Sequence, residues 1–403
     1  MNSLVPPALS LYVHIPWCVQ KCPYCDFNSH ALKTEIPEQD YIAALLEDLD
    51  RDIERYQLTL HPRLLHSIFI GGGTPSLISA SGIKTLLNGI EQRLPFKPGI
   101  EITMEANPGT VEAERFHGYQ QAGITRISIG VQSFEQEKLQ RLGRIHGQDE
   151  AVFAANLAHQ IGLKSFNLDL MHGLPDQSVE EALADLEKAI ELAPPHLSWY
   201  QLTIEPNTMF YYKTPTLPDD DELWDIFELG HQKLAAAGYQ QYEISGYSKP
   251  GYQCQHNLNY WRFGDYLGIG CGAHGKLSFS DGRIVRTTKV KHPRGYLAAY
   301  QNMVKPYLDH ENMVPYEDRP FEFFMNRFRL MEPCPKQDFI DTTGLPLSSI
   351  AETIDWAIDM KYLVESPTHW QITEKGKLFL NDLLEAFMAE DDDNTDGNDV
   401  STQ

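Results

Sequence analysis

The chain has 403 residues, 42% of them hydrophobic, which is enough for a buried core divided over two or three domains. Acidic residues outnumber basic ones 56 to 33, and the resulting formal net charge of −23 argues against a nucleic-acid binder, which needs a basic surface to neutralise phosphates. Six cysteines in so long a chain exclude a disulfide scaffold; residues 1–10 lack a signal-peptide layout, and no apolar run approaches the ~20 residues that span a bilayer, so a cytoplasmic protein is expected, with peripheral membrane contact left open.

The first predicted strand, 9–15, runs into a loop with three cysteines, Cys18, Cys22 and Cys25. A helical pattern at 41–53 precedes strand 67–70, which ends in Gly71-Gly72-Gly73-Thr74-Pro75. Helix 83–94 leads to strand 101–105, closed by Glu105, and helix 111–122 leads to strand 126–131, followed by Gln132. Helix 149–161, strand 165–170 carrying Asp169, helix 179–192 and strand 197–204 complete the series. Such alternation predicts βαβ units on a parallel sheet. Six units are too few for a closed eight-fold barrel, so the expected fold class is α/β, an open, partial (βα)6 TIM-like barrel. The carboxyl ends of parallel strands form the active face, and here that face collects three thiols, a glycine turn, two carboxylates and an amide.

Beyond a helix at 222–237 the alternation fades into a Gly-, Tyr- and Trp-rich region, 238–276. A third segment begins near residue 312, with helices at 321–330 and 348–360, short runs at 362–364 and 370–372, and a last helix at 376–388; helices with a small hairpin predict an α+β winged-helix-like domain. The expected division is a core at 1–235, an aromatic connecting region at 236–311, a C-terminal domain at 312–389 and an acidic tail at 390–403, whose lack of apolar residues predicts disorder.

Three clustered thiolates suit a metal centre, and two metals compete for them. A structural zinc takes four tetrahedral ligands, with His14, Cys254, Cys271 or Cys334 available to complete the set. An iron–sulfur cubane takes three thiolates and leaves one iron open to an exogenous ligand. The flanking Trp17, Tyr24 and Phe27 favour the cluster, whose potential depends on restricted solvent access.

Cys18-x-x-x-Cys22-x-x-Cys25 resembles the signature of the radical S-adenosylmethionine (radical SAM) superfamily. The resemblance implies a [4Fe–4S] cluster on these three cysteines, with the amino and carboxylate groups of S-adenosylmethionine on the fourth iron. By position it places the family's cofactor contacts on Tyr12, Tyr24, Gly72, Gly73, Thr74, Glu105, Gln132, Arg144 and Asp169. Each is chemically apt: glycine-turn amides approach a polar group closely, Glu105 can accept from an amine, Arg144 can pair with a carboxylate, and Asp169 can bind ribose hydroxyls.

Over nearly the whole chain the resemblance is to the oxygen-independent coproporphyrinogen III oxidase-like family. Two departures separate it from the oxidases. They carry a further cysteine where this chain has Phe27, and a long extension before the first cysteine where Cys18 here comes almost at once. His256-Asn257-Leu258-Asn259-Tyr260-Trp261 is similar instead to the HNxxYW motif of the family's heme chaperones, which implies heme as ligand, heme-requiring proteins such as respiratory enzymes as partners, and His256, Asn257, Tyr260 and Trp261 as heme-binding candidates. Cys254, Cys271 and His274 are further candidate ligands. Read from the residues alone, Tyr260, Trp261, Phe263 and Tyr266 pack a domain boundary, with His256 hydrogen-bonded there. A porphyrin-decarboxylating radical enzyme is the alternative activity.

Overall fold

The computed structural model describes residues 3–33, 35–109, 113–302 and 306–388. β1 (Leu9–Ile15) is apolar along most of its length and buried on both faces, as the interior of a parallel sheet requires. Then follow α1 (Glu38–Arg55), β2 (Leu65–Gly72), α2 (Ala80–Arg93), β3 (Phe96–Ala106), α3 (Phe116–Ala122), β4 (Arg126–Gln132), α4 (Gln148–Gln160), β5 (Ser165–His172), α5 (Val179–Glu191) and β6 (His196–Gln201). Of the helix expected at 111–122, residues 111–112 lie outside the described residues.

The six strands lie side by side in chain order, every neighbouring pair parallel, and the sheet stays open. Two of these helices, α2 and α5, start at a side-chain cap, Ser79 and Ser178. The Ser178 hydroxyl accepts the Glu181 N–H at 3.2 Å while the Glu181 carboxylate accepts the Ser178 N–H at 2.8 Å, a reciprocal box that opens α5. Ala182, Leu186 and Ala189 of that helix recur at helical spacing and are buried in the main core.

The segment after β6 is more regular than its composition suggests. It comprises α6 (Asp220–Ala236), β7 (Gly246–Ser248), α7 (Gln255–Trp261), β8 (Asp265–Ile269), β9 (His274–Ser278), β10 (Ile284–Lys289), α8 (Pro293–Gln301) and β11 (Leu308–Met313). β7 pairs antiparallel with β6, and the two-residue strand Gln240–Gln241 pairs with β7 at that edge. The chain then crosses to the other edge, where β8 pairs parallel with β1 and β9, β10 and β11 follow antiparallel, giving a twelve-stranded sheet. Buried polar groups hide these strands from a hydrophobicity reading. Asp265 accepts from Lys276 Nζ at 3.2 Å, from the Ser278 hydroxyl at 2.8 Å and amide at 3.0 Å, and from Arg63 at 2.8 Å. Satisfied in this way, an ionic pair can sit inside a sheet.

The C-terminal segment builds a second core from Phe323, Phe324, Phe328, Phe339, Trp370 and Phe387. Its elements are α9 (Arg319–Arg327), α10 (Lys336–Thr343), α11 (Ala351–Asp359) and the hairpin β12 (Leu363–Glu365) and β13 (His369–Ile372), with Cys334–Pro335 as a third short strand. The helix expected at 376–388 is divided into Glu374–Leu378 and Leu380–Glu385, because Phe379 leaves helical geometry and stacks on Tyr362 at 5.8 Å. The acidic tail, 390–403, lies outside the described residues. Among those described, no helix is long and apolar enough to cross a membrane.

Candidate functional site

Register decides which residues meet. β1 and β2 pair with His14 opposite Gly71 and Ile15 opposite Gly72, so the cysteine loop and the glycine turn leave the sheet side by side. Further along, Glu105 stands opposite Ser128, and Asp169 opposite Gly130 and Ser198. These carboxyl ends open onto a cavity of about 550 Å³. Cys18, Cys22, Cys25, Tyr24, Gly72, Gly73, Thr74, Glu105, Gln132, Arg144 and Asp169 all line it. Tyr12 lies outside the lining, its hydroxyl 2.9 Å from His14 Nδ1. Of the heme-binding candidates, Asn257 and Trp261 line the cavity and His256 and Tyr260 do not.

Cys18 is buried, and Cys22 and Cys25 are half-buried. Burial pushes the Cys18 thiol up, and the neighbouring Cys25 and Cys22 push it further, so its thiolate calls for a cationic centre. The residues weighed as a fourth zinc ligand are engaged elsewhere. His14 donates from Nε2 to the Asn28 carbonyl at 2.9 Å and accepts from Tyr12 at Nδ1. The Cys271 thiol donates to the Lys291 carbonyl at 2.8 Å, Cys254 sits 3.4 Å from Glu101 Oε1, and Cys334 belongs to the C-terminal core. Among the described residues no three His, Cys, Asp or Glu side chains converge on the position of a single ion. A donor set of three sulfurs without a fourth protein ligand fits a cluster with an open iron and does not complete a structural zinc site.

The turn after β2 requires glycine twice. Gly72 has φ of +115°, and a Cβ on it would lie 2.6 Å from the His14 ring; a Cβ on Gly73 would lie 2.5 Å from the Trp17 carbonyl oxygen. The backbone is pinned by Gly73 N–H to Ile15 O and Thr74 N–H to Trp17 O, both 2.7 Å. Gly72 N–H points the other way and donates to Glu105 Oε2 at 3.0 Å. Even so, burial and then the charge of Asp169 push the Glu105 carboxyl up to about 8. Asp169 is also raised by burial, although Ser128 donates to its Oδ2 at 2.9 Å and Asn167 to its Oδ1 at 2.7 Å. This wall of the cavity therefore favours a cation and hydroxyl donors.

Arg144 supplies the cation of another wall, braced by its Nη2 donating to the Gly130 carbonyl at 2.6 Å and Asn107 Oδ1 at 2.8 Å, with Nη1 3.8 Å from Cys22 Sγ. Gln132, at a register shift after Gly130, has φ of +68° and accepts from the Tyr200 hydroxyl at 2.9 Å. Left-handed backbone in a non-glycine residue is strain that the surrounding structure holds in place, and it aims this amide into the cavity wall.

Sequence reasoning missed several supporting residues. Asn107, Ser128, Tyr200 and Asn167 bond directly to the predicted set. The signal for Asn167 was present, since Asn167-Leu168-Asp169 puts two polar groups on one face of an otherwise apolar strand. From Asn167 Oδ1 a chain of bonds continues to His196 Nδ1 at 2.7 Å, from His196 Nε2 to the Tyr242 hydroxyl at 2.8 Å, and from the Cys254 amide to that hydroxyl at 3.3 Å. Cys254 is the residue before α7. Glu101 of β3, also unforeseen, accepts the amides of Gln255 at 2.9 Å and His256 at 3.2 Å and so caps α7 from outside.

Held this way, α7 presents Asn257 and Trp261 to the cavity and His256 to β2. His256 Nδ1 is 3.1 Å from the Ser67 hydroxyl and its ring is 5.2 Å from Phe69. Burial, with His66 and Arg126 adding, pushes its pKa down to about 3, so the imidazole is neutral. Tyr260 packs between Trp261 and Tyr266, at 4.8 and 5.2 Å. His274 is exposed at the start of β9.

A family model for the radical SAM superfamily matches residues 12–187, and one for the HemN C-terminal domain matches residues 314–379. The chain is similar to the heme chaperone HemW of Haemophilus influenzae, 66% identical over 385 residues, which cover 96% of this chain and 99% of that protein. It is 66% identical to the heme chaperone HemW of Escherichia coli over 384 residues (95% and 99%), and 34% identical to that of Bacillus subtilis over 387 residues (94% and 99%). Among solved structures, the radical SAM enzyme coproporphyrinogen III oxidase (HemN) from Escherichia coli superposes with a TM-score of 0.79 at 22% identity, over 95% of this chain and 90% of that one. At that identity the likeness is one of fold.

Proposed function

The chain belongs to the radical SAM superfamily and, within it, to the family of the heme chaperones HemW; from this premise we propose that it binds heme and delivers it to heme-requiring proteins such as respiratory enzymes, and does not act as a coproporphyrinogen III oxidase. The observation that carries the proposal is the shared cavity. α7, which bears the HNxxYW motif, contributes Asn257 and Trp261 to the same space that the three thiols and the glycine turn line. Phe27 supports the choice against the oxidase. It lies at the rim of that cavity, 58% exposed, and puts a phenyl ring where the oxidases that the chain resembles have a thiol.

In this reading Cys18, Cys22 and Cys25 hold a [4Fe–4S] cluster, and Tyr24, Gly72, Gly73, Thr74, Glu105, Gln132, Arg144 and Asp169 surround S-adenosylmethionine. The bound cluster supplies a redox-active iron with one open coordination position. Glu105, oriented by the Gly72 amide, accepts from the amine of the ligand. Asp169, fixed by Ser128 and Asn167, accepts from ribose hydroxyls, and Arg144 takes the carboxylate. Tyr12 acts at one remove, by orienting His14 behind the turn. His256 is in the neutral form that ligates iron but faces β2, so it contacts a heme only if α7 moves; Asn257 and Trp261 need no such movement.

The test uses anaerobically reconstituted protein in two parallel assays. Heme titration is expected to give a saturable spectral change, and bound heme is expected to pass to an apo-hemoprotein. Coproporphyrinogen III, incubated with S-adenosylmethionine and a reductant, is expected to remain unconverted. Protoporphyrinogen IX formation without saturable heme binding would reverse the assignment.

A further inference from the structure

The turn after α9 brings one more charge to the cavity. Arg329 is part of its lining, and its guanidinium carbon lies 4.7 Å from the centre of the Trp261 ring. The neighbouring arginines have carboxylate partners. Glu332 receives both forks of Arg262, at 2.8 and 2.6 Å, and Arg327 at 2.8 Å, while Arg327 also reaches Asp338 at 3.2 Å. Glu243, on the same rim, accepts from the backbone amides of Ser245 and Ile244, and the charge of Arg329 acts on its buried carboxyl. Among the described residues Glu243 is the carboxyl that Arg329 acts on, without a direct ion pair between them, and Arg329 Nε is buried without an acceptor, as is Trp261 Nε1. A buried donor left over on a cavity-lining cation marks an acceptor that belongs there. Arg329 is thus a second cation of this lining, stacked on an indole and with a buried donor to spare.

We propose that Arg329, held flat against Trp261, is a carboxylate subsite of this cavity and that, given the heme-chaperone reading on which this rests, it takes a propionate of the heme. A guanidinium matches a carboxylate in two parallel hydrogen bonds, and the stacked indole holds it in the plane where both form. Two kinds of carboxylate are available in such a cavity, the heme propionates and the methionine carboxylate of S-adenosylmethionine. The first is assigned to Arg329 because Arg144 already faces the cysteine end.

The probes are heme and its dimethyl ester, which lacks free propionates. Arg329→Gln and Arg329→Lys are titrated with both beside the wild type, and cluster absorbance and S-adenosylmethionine affinity are measured on each sample. The Gln variant is expected to bind heme about tenfold more weakly than wild type, the loss of one charge-assisted carboxylate pair, and to bind the ester as wild type does. The Lys variant, which keeps the charge and loses the fork, should fall between, and S-adenosylmethionine affinity should not move. A Gln variant with the wild-type ratio of heme to ester affinity overturns the subsite, and so does one that loses S-adenosylmethionine in place of heme. Wild-type protein that binds neither porphyrin sinks the chaperone reading itself, a different result from heme binding indifferent to residue 329.

Discussion

Glu105 is the side chain whose charge depends most on what fills the cavity. With its carboxyl pushed up to about 8 by burial and by Asp169, it is largely protonated at neutral pH in the empty protein. A cationic ligand must release that proton, so affinity rises as pH climbs toward 8. The advantage of wild type over Glu105→Gln for S-adenosylmethionine should therefore shrink about tenfold for each pH unit below 8. Equilibrium dialysis at pH 6, 7 and 8.5 measures this, and parallel curves for the two proteins would refute it. Without ligand the sign reverses. The folded state binds more protons than the unfolded state between the ordinary carboxylate range and about 8, so wild type loses stability over that window and the Gln variant does not. Glu105 and Asp169 were legible because each is an acid at the end of an apolar strand. The Gly72 amide that orients Glu105, and the Ser128 and Asn167 groups on Asp169, depend on strand neighbours and were not.

At the scale of elements, α7 needs outside help. It has seven residues, too few to persist alone, and no side-chain cap of its own. Glu101 supplies the cap from β3, and the bonds from Asn167 through His196 and Tyr242 reach the same helix start. Glu101→Ala strands two amides in a partly buried site and is expected to cost about 1–3 kcal/mol. It should weaken heme binding and leave S-adenosylmethionine affinity near wild type. Denaturant melts and hydrogen exchange at residues 255–258 test this; unchanged protection there would mean that α7 is held by packing alone. The aromatic composition of 238–276 pointed to a distinct region but not to its strands, because Asp265 and Lys276 satisfy each other inside the sheet.

Among the described residues the second core takes in Leu4, Phe263 and Ile284 from outside the C-terminal segment, and polar bonds join it to the rest. The Met331 amide bonds the Tyr242 carbonyl at 3.0 Å, and Glu332 ties Arg262, beside α7, to Arg327 in the C-terminal domain. Glu332→Ala is expected to remove about 1–2 kcal/mol from this junction. Its effect should appear as earlier melting of the second core and as weaker heme binding through a loosened Arg329, with the cluster retained. A single melting transition coincident with wild type would show the junction to be held by apolar contacts.

The amino-acid sequence by itself determined the parallel α/β core and the end of it that matters. Helix and strand periodicities are local, and right-handed βαβ connections bring every strand's carboxyl end to one face. The cysteine loop, glycine turn, Glu105, Gln132 and Asp169 therefore met once the strands were in order. Only the tertiary structure decided that β8 would pair with β1 from the far edge, that α7 would turn Asn257 and Trp261 inward and His256 away, and that a turn after α9 would deliver Arg329 to Trp261. These outcomes rest on partners far apart in the chain, such as Glu101 and Gln255 at a separation of 154 residues, and no local pattern encodes which face of a short helix such a partner will hold.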